Sequence, residues 1–384
     1  MTEIVMNVDI RQDEYTKYVN DTFDLKISDA NTVHIPFNFK LENLRDWNIG
    51  IVCGASGTGK STILKQLGGE KKVVFDNDKC LISNFDNMSP KEATQLLMAI
   101  GLSSVPTWLR PYRLLSNGEQ YRARLAKMIA DCQENEILLV DEYTSVVDRN
   151  VAKSMSYALQ KYMRRNNKRI ILFSCHYDIF DWLQPDWIYD LNKGGILEKN
   201  VYLRHDRPQI CLQLYRTTTD TWKMFRKHHY MTAELNDAST CFVVKWDNKI
   251  VAFFSTLPLS GLSLINAYRV HRFVVLPDFQ GLGLGGVILD FMSAFYKGLG
   301  KTMYLKTVHP GLGQYCAKSK KWTATAQNEK IGNSNNDTDK YITLKRKSYC
   351  FKYVGEKINV DESCFLSIER MRYNKSMEFQ LSLF

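Results

Sequence analysis

The chain has 384 residues, 45% of them hydrophobic and 24% charged, with a formal net charge of +10. That length accommodates two ordinary domains with separate cores, and the composition is that of a globular chain. The longest apolar runs, such as Ile137–Val140 and Ile170–Phe173, are far too short to cross a bilayer.

The nine cysteines are scattered, odd in number and free of any C-x-x-C pair. This argues against a disulfide framework or a zinc site and for a reducing cytosol. The opening stretch, MTEIVMNVDIRQDEY, carries acidic residues and no apolar core segment, so no secretory signal is expected and the location predicted is cytoplasmic. Charge is unevenly spread. Residues 1–198 hold 24 Lys and Arg against 26 Asp and Glu, whereas residues 199–384 hold 27 against 15. The basic excess lies wholly in the second half, where an acidic partner is expected to be met.

In chain order, strand-like runs at Ile49–Cys53, Lys72–Phe75, Ile137–Val140 and Arg169–Ser174 alternate with helical stretches at Ser61–Leu67, Pro90–Ile100, Glu119–Cys132 and Asn150–Arg165. That rhythm predicts an α/β domain on a mostly parallel sheet. The turn chemistry of LNKGGILEKN, 191–200, marks a boundary and sets the domains at 1–198 and 199–384. The second half opens on a hairpin, TCFVVKW and KIVAFFS about Asp247–Asn248. A strand, VHRFVVLP, then runs through a glycine-rich turn into an apolar helix, GVILDFMSAFY. Another strand (Thr302–Thr307), a short helix near Tyr315, a polar loop (328–340) and a late strand within YITLKRKSYCFKYV follow. The tail from Glu356 onward gives no clear signal.

Gly54-Ala55-Ser56-Gly57-Thr58-Gly59-Lys60-Ser61, followed by Thr62, fits the P-loop pattern and sits between a strand and a helix, as its mechanism demands. Its glycines let backbone N–H groups converge on phosphates, with positive potential added by the helix N-terminus. Lys60 is expected to reach the β- and γ-phosphates of ATP, and the Ser61 hydroxyl to take a Mg²⁺ position. Further on, ILLVDEYTSVVD is a buried strand ending in two carboxylates. Asp141 is suited to the Mg²⁺ shell and Glu142 to polarising a water.

With LSNGEQYRARLA before that strand and His176 at the end of the next, residues of roughly 30–190 resemble the ABC-type ATPases. Gly54–Ser61 looks like their Walker A, Leu115–Glu119 their signature, Ile137–Glu142 their Walker B, Ser145–Asp148 their D-loop, and His176 their switch histidine. The resemblance implies that Ser116 and Gly118 bind nucleotide across an interface. A chain with one set of motifs is then expected to form a homodimer through this domain. Two departures stand out. Signature position five is Glu119 rather than Gln, and no glutamine fills the Q-loop, for which Asn84 is the nearest candidate. The segment between Gly54 and Ser116 is also shorter than in transporter subunits, and with no transmembrane segment the resemblance argues against transport.

The second glycine turn, Gln280-Gly281-Leu282-Gly283-Leu284-Gly285, reads as G-x-G-x-x-G, but the next strand ends in Thr-Val-His-Pro and not in the acid a dinucleotide site needs. It is more similar to motif A of the GNAT acetyltransferases, [QR]-x-x-G-x-[GA]. That resemblance covers about 205–355 and implies an α+β domain with a mixed sheet. It also implies that the loop amides hold the pyrophosphate of acetyl-CoA, and that the strand around Val274, Val275 and Leu276 pairs with the pantetheine arm. The implied fold is a P-loop NTPase domain of ABC type followed by a GNAT-like domain, a fusion the whole chain resembles. GNAT chemistry needs a base for the amine and an acid for the thiolate. Tyr315 is the acid candidate. His271, His309 and the run His228-His229-Tyr230 are candidates for the base, which stays unassigned. Basic clusters at Lys318–Lys320–Lys321, Lys345–Arg346–Lys347 and Arg226–Lys227, set beside aromatics, point to nucleic acid or its bound protein as acceptor. A GNAT fold that only senses acyl-CoA, and a small-molecule N-acetyltransferase regulated by ATP, are the alternatives.

Overall fold

A computed structural model describes residues 3–7, 11–23, 32–38, 40–202, 208–229, 234–259, 265–333, 345–358 and 379–382. Tyr230, Cys364, residues 334–344 and most of the tail beyond Glu356 lie outside the described residues. The chain divides into two compact units, Met1–Leu102 with Trp108–Arg207, and Ser103–Thr107 with Pro208–Phe384.

In the first unit, strands β1 (Glu3–Asn7) and β2 (Thr32–Pro36) form an antiparallel pair, and helix α1 (Glu14–Phe23) lies between them in sequence. The main sheet among the described residues runs β4 (Ile137–Val140), β5 (Arg169–Ser174), β3 (Ile49–Cys53), β6 (Trp187–Asp190), β7 (Ile196–Lys199). The first four are parallel and β7 is antiparallel. The parallel strands read as unbroken apolar runs because they are covered on both faces. Every residue of β3 and β6 is buried. Helices α2 (Lys60–Gln66), α3 (Pro90–Ala99), α4 (Asn117–Ala130) and α5 (Arg149–Arg165) accompany the sheet. Ser89 and Ser116 start α3 and α4 with reciprocal capping boxes to Glu92 and Glu119.

In the second unit the sheet order among the described residues is β13 (Trp322–Ala324), β16 (Tyr349–Tyr353), β12 (Thr302–Thr307), β11 (Ala267–Val275), β10 (Lys249–Pro258), β9 (Thr240–Trp246), β8 (Cys211–Thr217), β17 (Phe379–Ser382). A separate pair is formed by β14 (Ile331–Asn333) and β15 (Lys345–Lys347). All sheet pairs are antiparallel except β11 with β12. That parallel pair is joined by α6 (Leu284–Gly298), an apolar helix that buries Ile288, Leu289, Met292 and Phe295. Asp247 and Asn248, with φ of 48° and 62°, form the β9–β10 turn read from the sequence, the left-handed pair of a tight hairpin.

One local expectation is corrected. Lys72–Phe75 is not a strand. Val74 is 82% exposed, Phe75 stacks on Tyr112 at 4.1 Å, and the buried Asn84 side chain accepts from the Asp76 N–H and donates to the Cys80 carbonyl. The apolar pair thus borders a loop pinned by side chains, and the Q-loop candidate Asn84 is occupied in pinning it. The turn at 191–195 joins β6 to β7 inside the first unit, which continues to Arg207. A glycine-rich turn marks a hairpin as readily as a boundary, because both need left-handed backbone, here at Gly194 and Gly195.

Candidate functional site

The P-loop connects the central strand β3 to α2. Gly59 occupies the cap of α2 with φ of 94°, a conformation that costs a β-carbon-bearing residue dearly. A Cβ there would also lie 2.6 Å from Ile35 of β2, so the loop needs glycine on two grounds. The Lys60 Nζ curls back to donate to the carbonyls of Gly54 and Ala55 at 2.8 and 2.6 Å. The Ala55 N–H donates to Asn192 Oδ1 at 2.9 Å, and Asn192 is held by Tyr177 and Asp190. The expected stretch from Gly54 through Ser56, Gly57, Thr58 and Ser61 to Thr62 is continuous around this turn.

Ser61 Oγ donates to Asp141 Oδ2 at 3.1 Å, bringing two hard oxygen ligands side by side, a donor set that suits Mg²⁺. Glu142 follows in left-handed backbone at φ 47°, its N–H on Asp141 Oδ1 at 2.9 Å and its side chain exposed. Between buried Tyr143 and the D-loop, Thr144 is also left-handed, at φ 70°. Its hydroxyl meets His176 Nδ1 at 3.2 Å, so the structure gathers Ser61, Asp141, Glu142 and His176 around one turn. Burial, then the nearby Arg149 guanidinium, lowers the His176 pKa, favouring a neutral imidazole. Arg149 is itself paired with Asp178. Ser116 caps α4 through Glu119. A Cβ on Gly118 would meet Val147 at 3.7 Å, so the signature and D-loop stretches touch within one chain.

In the second unit, β11 and β12 pair only at Ala267–Arg269 with Thr302–Tyr304. β11 continues to Val275 without β12, so the parallel pair opens just before the second glycine turn. Gly281 and Gly283 have φ of 89° and 79°, Gly283 caps α6, and space around Gly285 is open. Buried Leu282 and Leu284 anchor the turn from below. Gln280 Nε2 donates to the Val275 carbonyl at 2.6 Å, folding the loop onto the end of the strand. Val274 points into a cluster with Trp222, Phe225 and Phe253.

Three of the acid–base candidates make hydrogen bonds within the protein. Tyr315 sits on α7 (Pro310–Lys318), facing Gly286 of α6, and donates its hydroxyl to Asp290 Oδ2 at 2.7 Å. Burial, then that carboxylate, pushes the phenol pKa up. His309 Nδ1 accepts from the Leu312 N–H as the cap of α7. His271 Nε2 accepts from the Asn236 N–H, and burial with Arg272, Arg269 and His229 lowers its pKa to about 4. Sequence reasoning missed Asn192, Thr144 and Asp290. Each acts through a contact distant in sequence or through an unusual backbone angle, and neither leaves a local pattern.

A P-loop on the central strand of a parallel sheet defines the first unit as a P-loop NTPase. A mainly antiparallel sheet with one parallel pair, followed by a glycine turn, defines the second as an α+β fold. The profile of the Acetyltransferase (GNAT) family matches residues 177–314. The uncharacterized ABC transporter ATP-binding protein YfmM of Bacillus subtilis (strain 168) is 27% identical over 199 residues, 46% of this chain and 35% of that protein. The putative ABC transporter ATP-binding protein MG304 of Mycoplasma genitalium is 26% identical over 195 residues, 41% of this chain and 70% of that protein. This chain thus spans about a third of the length of YfmM. Among solved structures, the ribosomal-protein-S18-alanine N-acetyltransferase from Escherichia coli is similar at 13% identity and a TM-score of 0.29, over 39% of this chain and 97% of that one. The ABC transporter ATP-binding proteins thus match the N-terminal part and the GNAT profile the C-terminal part, which supports a fusion of these two kinds of domain. No helix among the described residues is long and apolar enough to cross a membrane.

Proposed function

We propose that the chain is a cytosolic ATP-hydrolysing N-acetyltransferase. Residues 1–198 form its ATPase domain, and residues 199–384 transfer the acetyl group of acetyl-CoA to an amine of a nucleic acid or an associated protein. The observation that carries this reading is the opening between β11 and β12 directly before the glycine turn. The side of β11 that β12 leaves open, with the Val275 carbonyl held by Gln280, suits an extended pantetheine arm around Val274 and Val275, and the N–H groups of Gly281–Gly285 suit its pyrophosphate. Acetyl-CoA supplies the thioester; the chain binds and orients it.

In the ATPase domain, the N–H groups of Gly57–Thr62 with Lys60 hold the triphosphate, and Ser61 and Asp141 hold Mg²⁺. Glu142 orients the attacking water and His176 senses the γ-phosphate. One chain carries one set of these residues, so two copies pair, Ser116 and Gly118 of one completing the Lys60 site of the other. The basic excess of the second half favours a polyanionic acceptor or its bound protein. The test is acetyl transfer from labelled acetyl-CoA to RNA, DNA or a nucleic-acid-bound protein, followed by mass spectrometry of the acceptor. A mass gain is expected on one of them. Light scattering of the ATP-loaded Glu142→Gln variant is expected to give a dimer; a monomer would sink the shared-site arrangement.

A second reading is favoured by one observation: the Tyr315 hydroxyl, His271 Nε2 and His309 Nδ1 are each hydrogen-bonded within the protein itself. On that reading the GNAT fold senses acyl-CoA without turnover. Tight acetyl-CoA binding with no thiol release under any acceptor would establish it.

A further inference from the structure

Glu70 lies in the loop after α2 and belongs to none of the motifs above. Its side chain is 19% exposed, low for a carboxylate. One oxygen, Oε1, accepts from the Asp141 N–H at 3.1 Å, while Oε2 accepts from Arg124 Nη1 at 3.0 Å. Arg124 sits on α4, the helix that Ser116 caps. A second link runs from the same helix: the Thr144 N–H donates to the Tyr121 hydroxyl at 3.3 Å. The turn Asp141–Thr144 is therefore held at both ends by α4, through Glu70 at Asp141 and directly at Thr144.

We propose that Glu70 is a positioning residue for the ATPase reaction, fixing the Asp141 backbone and tying its orientation to the helix that begins at Ser116. The proposal rests on the ATPase reading above. Asp141 reaches Ser61 through a single rotatable carboxylate, so its backbone sets where that carboxylate points. Charged acceptors bind backbone N–H groups more strongly than neutral ones, which is the reason to place a glutamate there. Since α4 also presents Ser116, a shift of this helix on association would reach Asp141 through Arg124 and Glu70. The same shift would reach Thr144, and through it His176, by way of Tyr121.

The test compares Glu70→Ala, Glu70→Gln and Arg124→Ala in the full chain. Two readouts are taken: ATP hydrolysis as a function of Mg²⁺, and Mn²⁺ binding by paramagnetic resonance with a non-hydrolysable ATP analogue present. Removing an outer partner of a metal ligand lowers metal affinity or activity about 10- to 100-fold. Glu70→Ala is expected to fall in that range in kcat and in Mn²⁺ affinity, with KM for ATP little changed. Glu70→Gln keeps an oxygen for the Asp141 N–H and is expected to recover most of the loss. Arg124→Ala is expected between them. Wild-type metal affinity in a folded Glu70→Ala protein would overturn the inference, as would equal loss in the Ala and Gln variants. Wild-type protein that hydrolyses no ATP yet loses Mn²⁺ binding on Glu70→Ala would overturn the ATPase reading and leave the positioning role supported.

Discussion

Two glycine turns in one chain solve related problems with different means. Both leave a strand, place a left-handed glycine at the cap of the next helix (Gly59 at 94°, Gly283 at 79°), and offer backbone N–H groups at a positive helix end. The first adds a cation inside the loop, Lys60, and two carboxylates behind it, Asp141 and Glu142. The second has neither: its side chains are Gln280, which ties the loop to Val275, and buried leucines. A turn that must stabilise charge moving off a terminal phosphate needs a lysine and a metal position. One that only grips a pyrophosphate, while the chemistry proceeds elsewhere, can rely on amides alone. The strands differ in the same sense. β3 is paired with β5 along its whole length and with β6 from Gly50 to Cys53, whereas β11 loses its parallel neighbour where the arm of a cofactor would lie.

The sharpest way to separate the two turns is to disable one and read both. Glu142→Gln is expected to lower ATP turnover by about 10²- to 10⁴-fold, the usual contribution of a positioned base, with ATP binding retained. Acetyl-CoA binding should be untouched; coupled loss of both in calorimetry would deny their independence. Gly283→Val is the reciprocal change. A β-branched side chain at φ 79° both strains the cap and fills the approach, so acetyl-CoA affinity should fall about 100-fold or more while ATPase activity stays near wild type. Equal affinity of the variant would reduce the second turn to a packing element.

The two domains should also part company in acid. His271 titrates near 4 when folded, against about 6.5 for an unfolded histidine. Between those values the unfolded chain binds the extra proton, so stability of the second domain falls as pH drops from about 6.5 towards 4. His271 is only partly buried, so a decrease of only a few degrees in thermal midpoint is expected. Calorimetry at pH 7 and pH 5 with His271→Gln, which should flatten the dependence, checks it. The smallest effect concerns the departure in the signature. A capping box accepts Glu or Gln, so Glu119→Gln should change stability by less than about 1 kcal/mol and leave ATPase activity close to wild type.

Much of the chain was legible because its signals are local. β3, β4, β5 and β12 lie where their apolar runs predict, and the Asp247–Asn248 hairpin follows from its turn pair. The P-loop, the Asp141–Glu142 pair and His176 are ordered motifs whose strand-end positions follow from that alternation. What the sequence did not show has a common cause. Val73, Val74 and Phe75 read as a strand, but whether such a run joins a sheet depends on a partner edge, and side chains of Asn84 and Tyr112 claimed the segment first. Tyr315 sits on the helix the sequence placed it on, yet its proton is held by Asp290, a residue buried on the helix of the second turn.

The sequence by itself determined which backbone could bend around a phosphate, because positive φ and close approach are properties of glycine at a given position. It also determined which strands are buried on both faces, since that requires unbroken apolar runs. Tertiary structure alone decided which polar atoms remain free to act. Hydrogen-bond partners such as Asp141 with Glu70, Thr144 with His176, and Tyr315 with Asp290 are brought together by packing across 71, 32 and 25 residues. The parting of β11 from β12 is of the same kind: it depends on how two strands twist relative to each other, and neither strand's residues encode it alone.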